Sequence, residues 1–332
     1  MRSLQRWMKD TEIEESKARA ARDTGDQWRH HFVPEVYLKR WVGVKGGRLR
    51  WTDVNAGTGA YASPKSVAFL PHFYRYDAPG DPGQWFEKHL SRIEDDAAPL
   101  FRHLDAVEDG PIRDSATAAN LAIYVALQHQ RTPRVRALNL AIESWNPTGQ
   151  DPQTAAINYA VNIWRKDIVP ELKRYRWWIV SSPSPLATCD EPVLHLGHHD
   201  WPRHTRLSFK STALLLFPIG PYRLLIAAPD RNHTLVPPYE LTPEETMAVN
   251  SETAANSLQF VYEQEDAGVA ATLRVPPPVA APHASSANLL GATVLPTRWA
   301  SLPTPPPWPL SRWLPPMPGW LRPYAQALGN RA

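Results

Sequence analysis

TALLLFPIGPYRLLIAA, residues 212–228, decides the fold. Two apolar runs flank Gly220-Pro221, a dipeptide that punctuates a turn, so they read as the arms of an antiparallel hairpin. The longest apolar run, Thr212 to Pro218, reads as a buried strand. RWWIVSS (176–182) has the same character, LATCDEPVLHL (186–196) reads as strand, tight turn, strand, and FVYEQED (260–266) as a last strand. RLRWTDV (48–54) and FYRYD (73–77) read as earlier strands. Between them lie segments of helical period. Residues 85–104 carry Phe86, Leu90, Ile93, Ala97 and Leu100 at steps of three or four. A second helix covers 114–132, with Ala118, Leu121, Ala122 and Val125 on one stripe, and Pro133 ends or kinks it. Further helices are expected near 134–146, 153–172 and 243–259, the last starting at Thr242 or Pro243. Helices grouped in the middle and strands grouped later specify an α+β fold: a central helical bundle packed on a mostly antiparallel sheet.

The chain has 332 residues, 43% hydrophobic and 21% charged, the balance of a soluble globular protein with a substantial core. No apolar run approaches the ~18 residues a membrane span needs. The charged N-terminal stretch lacks the apolar region of a secretory signal. A single cysteine, Cys189, excludes an intrachain disulfide and suits a reducing cytoplasm. The net charge of +3 conceals an asymmetry: residues 267–332 carry five arginines, no lysine and no acid, so the remainder is −2. The body therefore lacks the general basic excess of nucleic-acid binders. Three parts are expected: a charged helical or disordered arm (1–27), an α+β domain (28–266) and an irregular Pro/Trp/Arg-rich tail (267–332). The tail's PTPPPWPL and PPMPGW segments exclude a sheet or a continuous helix. Such a tail either docks on its own body or meets a partner through its tryptophans, prolines and arginines.

In RHHFVPEVYLKRW (29–41), Pro34 forces Val33 into an extended conformation and suits the first turn of a helix. His30 and His31 then lie on an extended entry segment just before a helix start. His30-His31-Phe32-Val33-Pro34 with Tyr37-Leu38, Ser-Pro-Lys-Ser-Val at 63–67, Phe73-Tyr74, Phe86-Glu87 and Ile93-Glu94 recur here in order with Gln128-x-x-Arg131-Thr132-Pro133, Thr188-Cys189-Asp190-Glu191-Pro192-Val193 and Phe260-Val261-Tyr262. As a set these segments resemble the domain-of-unknown-function family 4238 over residues 28–266. Cys189 stands where that family usually has serine. The resemblance implies no activity.

The chemistry-bearing set is His30, His31 and Asp190 as candidate catalytic groups, with Gln128, Arg131 and Tyr124 as candidate substrate-binding groups. Tyr124, Gln128 and Arg131 share one helix face at steps of four and three. Arg131 suits a bidentate grip on phosphate or carboxylate. A histidine before a helix N-terminus favours the neutral ring of a general base or metal ligand, and Asp190 would orient it. The cofactor this chemistry would take is a divalent metal, with His31 and Asp190 as candidate ligands. The expected partner is an anionic substrate, a phosphoester or nucleic acid, cleaved by a hydrolase-like site. The same residues equally suit a fold-determining cluster, with Arg131 and Asp190 as a buried pair, in a binding module for protein, peptide or nucleic acid. A second cluster, His195, His198, His199, Asp200 and His204, has metal-capable spacing but reads as a solvated loop. Cys189 reads as a small buried hydrophobe before it reads as a nucleophile. No phosphate-cradling glycine loop, H-E-x-x-H or G-x-S-x-G is present.

Overall fold

The helix over Ser115–Gln130 (α4) is apolar almost all round because it is buried almost all round, without a break from Asn120 to Gln128. Asp114 starts it, its carboxylate accepting the backbone N–H groups of Ala116 and Thr117. The computed structural model describes residues 3–23, 25, 28–43, 46–75, 83–199, 201, 203, 207–229, 233–279, 298–303 and 308–329. Around α4 stand α1 (Asp10–Arg22), α2 (Glu35–Leu38), α3 (Trp85–Ala106), α5 (Pro133–Trp145), α6 (Pro152–Ile163) and α7 (Val169–Leu172). Later come α8 (Pro243–Asn256), α9 (Val269–Thr272) and α10 (Arg322–Gly329). α8 opens on a capping box, in which Thr242 and Glu245 satisfy each other's backbone N–H.

The strands are β1 (Arg29–His31), β2 (Leu49–Asp53), β3 (Thr58–Ala62), β4 (Phe69–Pro71), β5 (Gly110–Pro111), β6 (Arg176–Ser181), β7 (Thr188–Cys189), β8 (Leu194–Leu196), β9 (Leu214–Gly220), β10 (Arg223–Ala228) and β11 (Phe260–Gln264). They form a five-stranded sheet ordered β5-β6-β10-β9-β8, a four-stranded sheet ordered β3-β2-β11-β7, and the ribbon β1-β4. Every pairing of these strands is antiparallel. The α+β architecture read from the sequence is therefore the one observed. FYRYD does not form the expected strand. The strand is Phe69–Pro71, and residues 72–74 form a turn with His72 in the left-handed region (φ 51°), while 76 and 77 lie outside the described residues.

The hairpin of β9 and β10 explains its own continuous hydrophobicity. Leu215, Phe217, Ile219, Leu225 and Ala227 face the core shared with the helices. Leu214, Leu216, Leu224, Ile226 and Ala228 face a second core closed by Val249 of α8 and by Trp308, Leu310 and Trp313. The tail thus covers the outer side of the sheet. Arg312 fastens it: its guanidinium reaches Glu245 (2.8 Å) and the Glu240 carbonyl (2.6 Å) and lies 3.9 Å over the Trp313 ring. The tail also ends in a helix, α10, which its proline content did not announce. The N-terminal arm is likewise docked. Leu4 and Trp7 are fully buried, Trp7 Nε1 donates to Asp96 of α3 (2.9 Å), and the Leu4 N–H donates to Asn120 of α4 (2.8 Å).

Candidate functional site

The histidine-rich entry strand sits where β1, α3 and the C-terminal end of α4 meet, and most of its polar neighbours hold backbone. His30 is fully buried. Its Nδ1 accepts the Tyr74 N–H at 2.8 Å, and its ring stacks on Tyr74 with centroids 5.7 Å apart. Gln128 Nε2 donates to the Phe32 carbonyl at 3.0 Å. Arg131 donates through one terminal nitrogen to the His31 carbonyl and through the other to Glu94 at 2.6 Å, while its own carbonyl accepts the Tyr74 hydroxyl at 2.7 Å. The guanidinium is therefore directed at protein groups rather than held open as an anion clamp. Tyr124 lies on the same helix, buried against Phe101, and burial pushes its hydroxyl far above the ordinary range.

Asp190 does not join this group. It follows β7 in the four-stranded sheet, and its two oxygens accept the backbone N–H groups of Leu258, Gln259 and Phe260 at 2.7–2.8 Å. The carboxylate anchors the entry to β11. Burial raises its pKa and the three N–H donors work against that rise. No pairing with Arg131 occurs, since that arginine meets Glu94. Among the described residues no three His, Cys, Asp or Glu side chains, with His31 and Asp190 or otherwise, are grouped to hold an ion.

His31 has a different setting. It lines a cavity of about 700 Å³ between the β1–α2 segment and one face of α3. Trp28, Arg29, Glu35, Val36, Lys39 and Lys65 form one side, and Glu87, Ser91, Glu94, Asp95 and Ala98 of α3 form the other. The Nε2 atom of His31 is buried and has no hydrogen-bond partner among the described residues. Burial, then the nearby Arg131 charge, lowers the ring to about 4, so it is neutral at pH 7. Across from it, burial and then the neighbouring Glu94 raise the Glu87 carboxyl to about 8, against the pull of Arg131 and of a backbone hydrogen bond from His31. Glu87 is therefore largely protonated at pH 7. Burial raises Glu94 as well, but its ion pair with Arg131 favours the charged form.

Glu87 and Glu94 are residues that sequence reasoning missed as site residues. Their signal was present: Glu87, Ser91, Glu94 and Ala98 form a stripe at steps of four, three and four, one residue along from the Phe86–Leu90–Ile93–Ala97 core stripe. Of the earlier candidates only His31 faces this cavity.

The remaining expectations resolve individually. His195 Nδ1 pairs with the Thr212 hydroxyl at 2.8 Å, and His198 Nδ1 with the Pro315 carbonyl of the tail at 3.1 Å. His199 is exposed, and Asp200 and His204 lie outside the described residues. Cys189 is fully buried, and burial followed by the Asp190 charge lifts its thiol well above the ordinary value, opposite to what a nucleophile needs. No helix among the described residues is long and apolar enough to cross a membrane.

A family model described as a protein of unknown function, DUF4238, matches residues 29–267. The chain belongs to that family. No curated protein and no solved structure matches it. The family motifs can thus be assigned a physical job. The His-His start and the Gln-x-x-Arg end of α4 tie β1 to the turn at Tyr74 and to α4, while Asp190 separately ties the turn after β7 to the entry of β11.

Proposed function

We propose that the chain is a hydrolase-type enzyme that cleaves an anionic phosphoester, free or within a nucleic acid, in the cavity between β1 and α3. The observation that supports this reading is the pair of facing groups with displaced protonation states. His31 is neutral above about pH 4 and Glu87 protonated below about pH 8, so each is in the form general base and general acid catalysis require. In this mechanism His31 Nε2 takes a proton from water as its oxygen attacks phosphorus. Glu87 gives its proton to the departing oxygen, and proton return from His31 to Glu87 restores both. Arg131 and Gln128 act as positioning residues by fixing the backbone of the histidine strand. Lys39 pairs with Glu35 and Arg131 with Glu94, which leaves Arg29 and Lys65 against Asp95 around the cavity, a net positive balance that draws an anion.

The test is hydrolysis of p-nitrophenyl phosphate and bis-p-nitrophenyl phosphate across pH 3–10. Turnover is expected on a plateau between about pH 4 and about pH 8, falling on both sides, and each of Glu87→Gln and His31→Asn should lower it by roughly 10²–10⁴-fold. Wild-type turnover indifferent to both substitutions, or no turnover at any pH, defeats the proposal. A second reading is favoured by the many side chains committed to backbone: a non-catalytic module whose polar cluster is structural. It predicts saturable phosphate binding without turnover.

A further inference from the structure

A second cavity, of about 290 Å³, lies on the other side of the segment that carries Lys65. It is lined by Trp51 of β2, Phe260 and Tyr262 of β11, and Ser66, Val67, Ala68 and Phe69 on the approach to β4. The strand register explains the wall: Trp51 is directly opposite Tyr262, and Phe260 lies two residues along the same face. The Trp51 and Phe260 rings stand perpendicular with centroids 5.7 Å apart, and Phe260 and Tyr262 lie 6.5 Å apart at a 33° tilt. Ala68 holds the opposite wall in the left-handed region (φ 54°), its carbonyl accepting the Phe32 N–H at 3.0 Å.

Three observations restrict what fits this space. Every lining side chain is uncharged, so an entering carboxylate or phosphate would lose its hydration without a counterion. The Arg29 guanidinium already sits 5.0 Å over the Phe69 ring, which disfavours a second cation on that aromatic. The Tyr262 hydroxyl is buried in a residue 1% exposed and has no hydrogen-bond partner among the described residues, an arrangement that is costly unless a ligand group meets it. We infer that this aromatic-walled cavity binds a neutral planar ring compound of the indole or nucleobase type, with the Tyr262 hydroxyl bonding a polar group on the ring edge. The size agrees, lying at the small end of ligand pockets. The inference stands independently of acid–base chemistry in the first cavity.

Calorimetric titration of the full chain with indole, naphthalene and tetramethylammonium tests it. Indole is expected to bind saturably, and Trp51→Ala to weaken it by roughly tenfold or more, as loss of a stacking partner does. Tyr262→Phe should weaken indole about threefold to tenfold while leaving naphthalene unchanged or tighter, because only indole offers an N–H to the hydroxyl. Val67→Phe, which fills the space from the loop side and keeps Trp51 and Tyr262, should abolish both and guards against a Trp51→Ala chain that fails to fold. The inference is overturned by absence of saturable binding of either ring compound, by binding indifferent to Val67→Phe, by indole affinity unchanged in Tyr262→Phe, or by tetramethylammonium binding more tightly than indole.

Discussion

Two polar regions a few residues apart behave as opposites. Around Arg131 the polar groups the sequence offers are directed at protein partners, mostly backbone: His30 at the Tyr74 N–H, Gln128 at the Phe32 carbonyl, and Arg131 at the His31 carbonyl and the Glu94 carboxylate. Across the cavity wall, Glu87 at neutral pH and His31 in mild acid are held in protonation states opposite to those they would have in water. The first arrangement fixes where chains lie. The second holds protons where water would not. A histidine pair adjacent in sequence is split between the two, because neighbours on a strand face opposite sides: His30 turns inward and His31 toward the cavity.

The largest effect should come from breaking the backbone lock. Arg131→Met leaves Glu94 half-buried without its cation and the His31 carbonyl without its donor, and should cost about 3–5 kcal/mol in urea unfolding. A loss under about 1 kcal/mol would erase the distinction between the two regions. Asp190→Ala follows, at about 2–4 kcal/mol, since it strands three backbone N–H groups at the entry to β11. Its signature is early loss of amide protection at Leu258–Phe260 with the cavity end of the molecule intact. The smallest effect belongs to the cavity wall. Glu87→Gln should leave stability near pH 4, where the acid is largely neutral in the folded and the unfolded chain alike, within about 1 kcal/mol. It changes the pH dependence instead. With its folded pKa raised to about 8, Glu87 contributes stability fully present below the unfolded value and lost as pH rises from there through 8, and the glutamine variant should lack that loss. His31 works in the other direction: its ring, lowered to about 4, withdraws stability as pH falls below the ordinary histidine range toward 4. An unchanged fall in stability between the ordinary carboxyl range and pH 8 in Glu87→Gln would place the displaced proton elsewhere.

Secondary structure was legible where period and punctuation agreed. The β9–β10 hairpin, α3, α4 and the Thr242-capped α8 follow from apolar spacing and from turn or cap residues. FYRYD misled because its aromatics alternate like a strand, yet Phe73 and Tyr74 are both buried and serve a turn packed on His30 and Arg136. His31 was legible as a candidate from its motif. Glu87 and Glu94 were not, because a polar stripe beside an apolar one on an amphipathic helix looks like any solvated face until a second wall closes over it. Asp190 misled in a different way: a carboxylate on a tight turn announces a hydrogen-bond acceptor, but only the fold says that its donors are Leu258–Phe260 rather than a histidine.

The outer face of the β9–β10 hairpin has a temporal consequence. Trp308 and Trp313, which close its second core, are translated long after Leu214–Ala228 have left the ribosome. At roughly 5–20 residues per second that interval lasts several seconds. During it the leucines on the outer side of the hairpin lack the cover that Trp308, Leu310 and Trp313 give them in the folded chain.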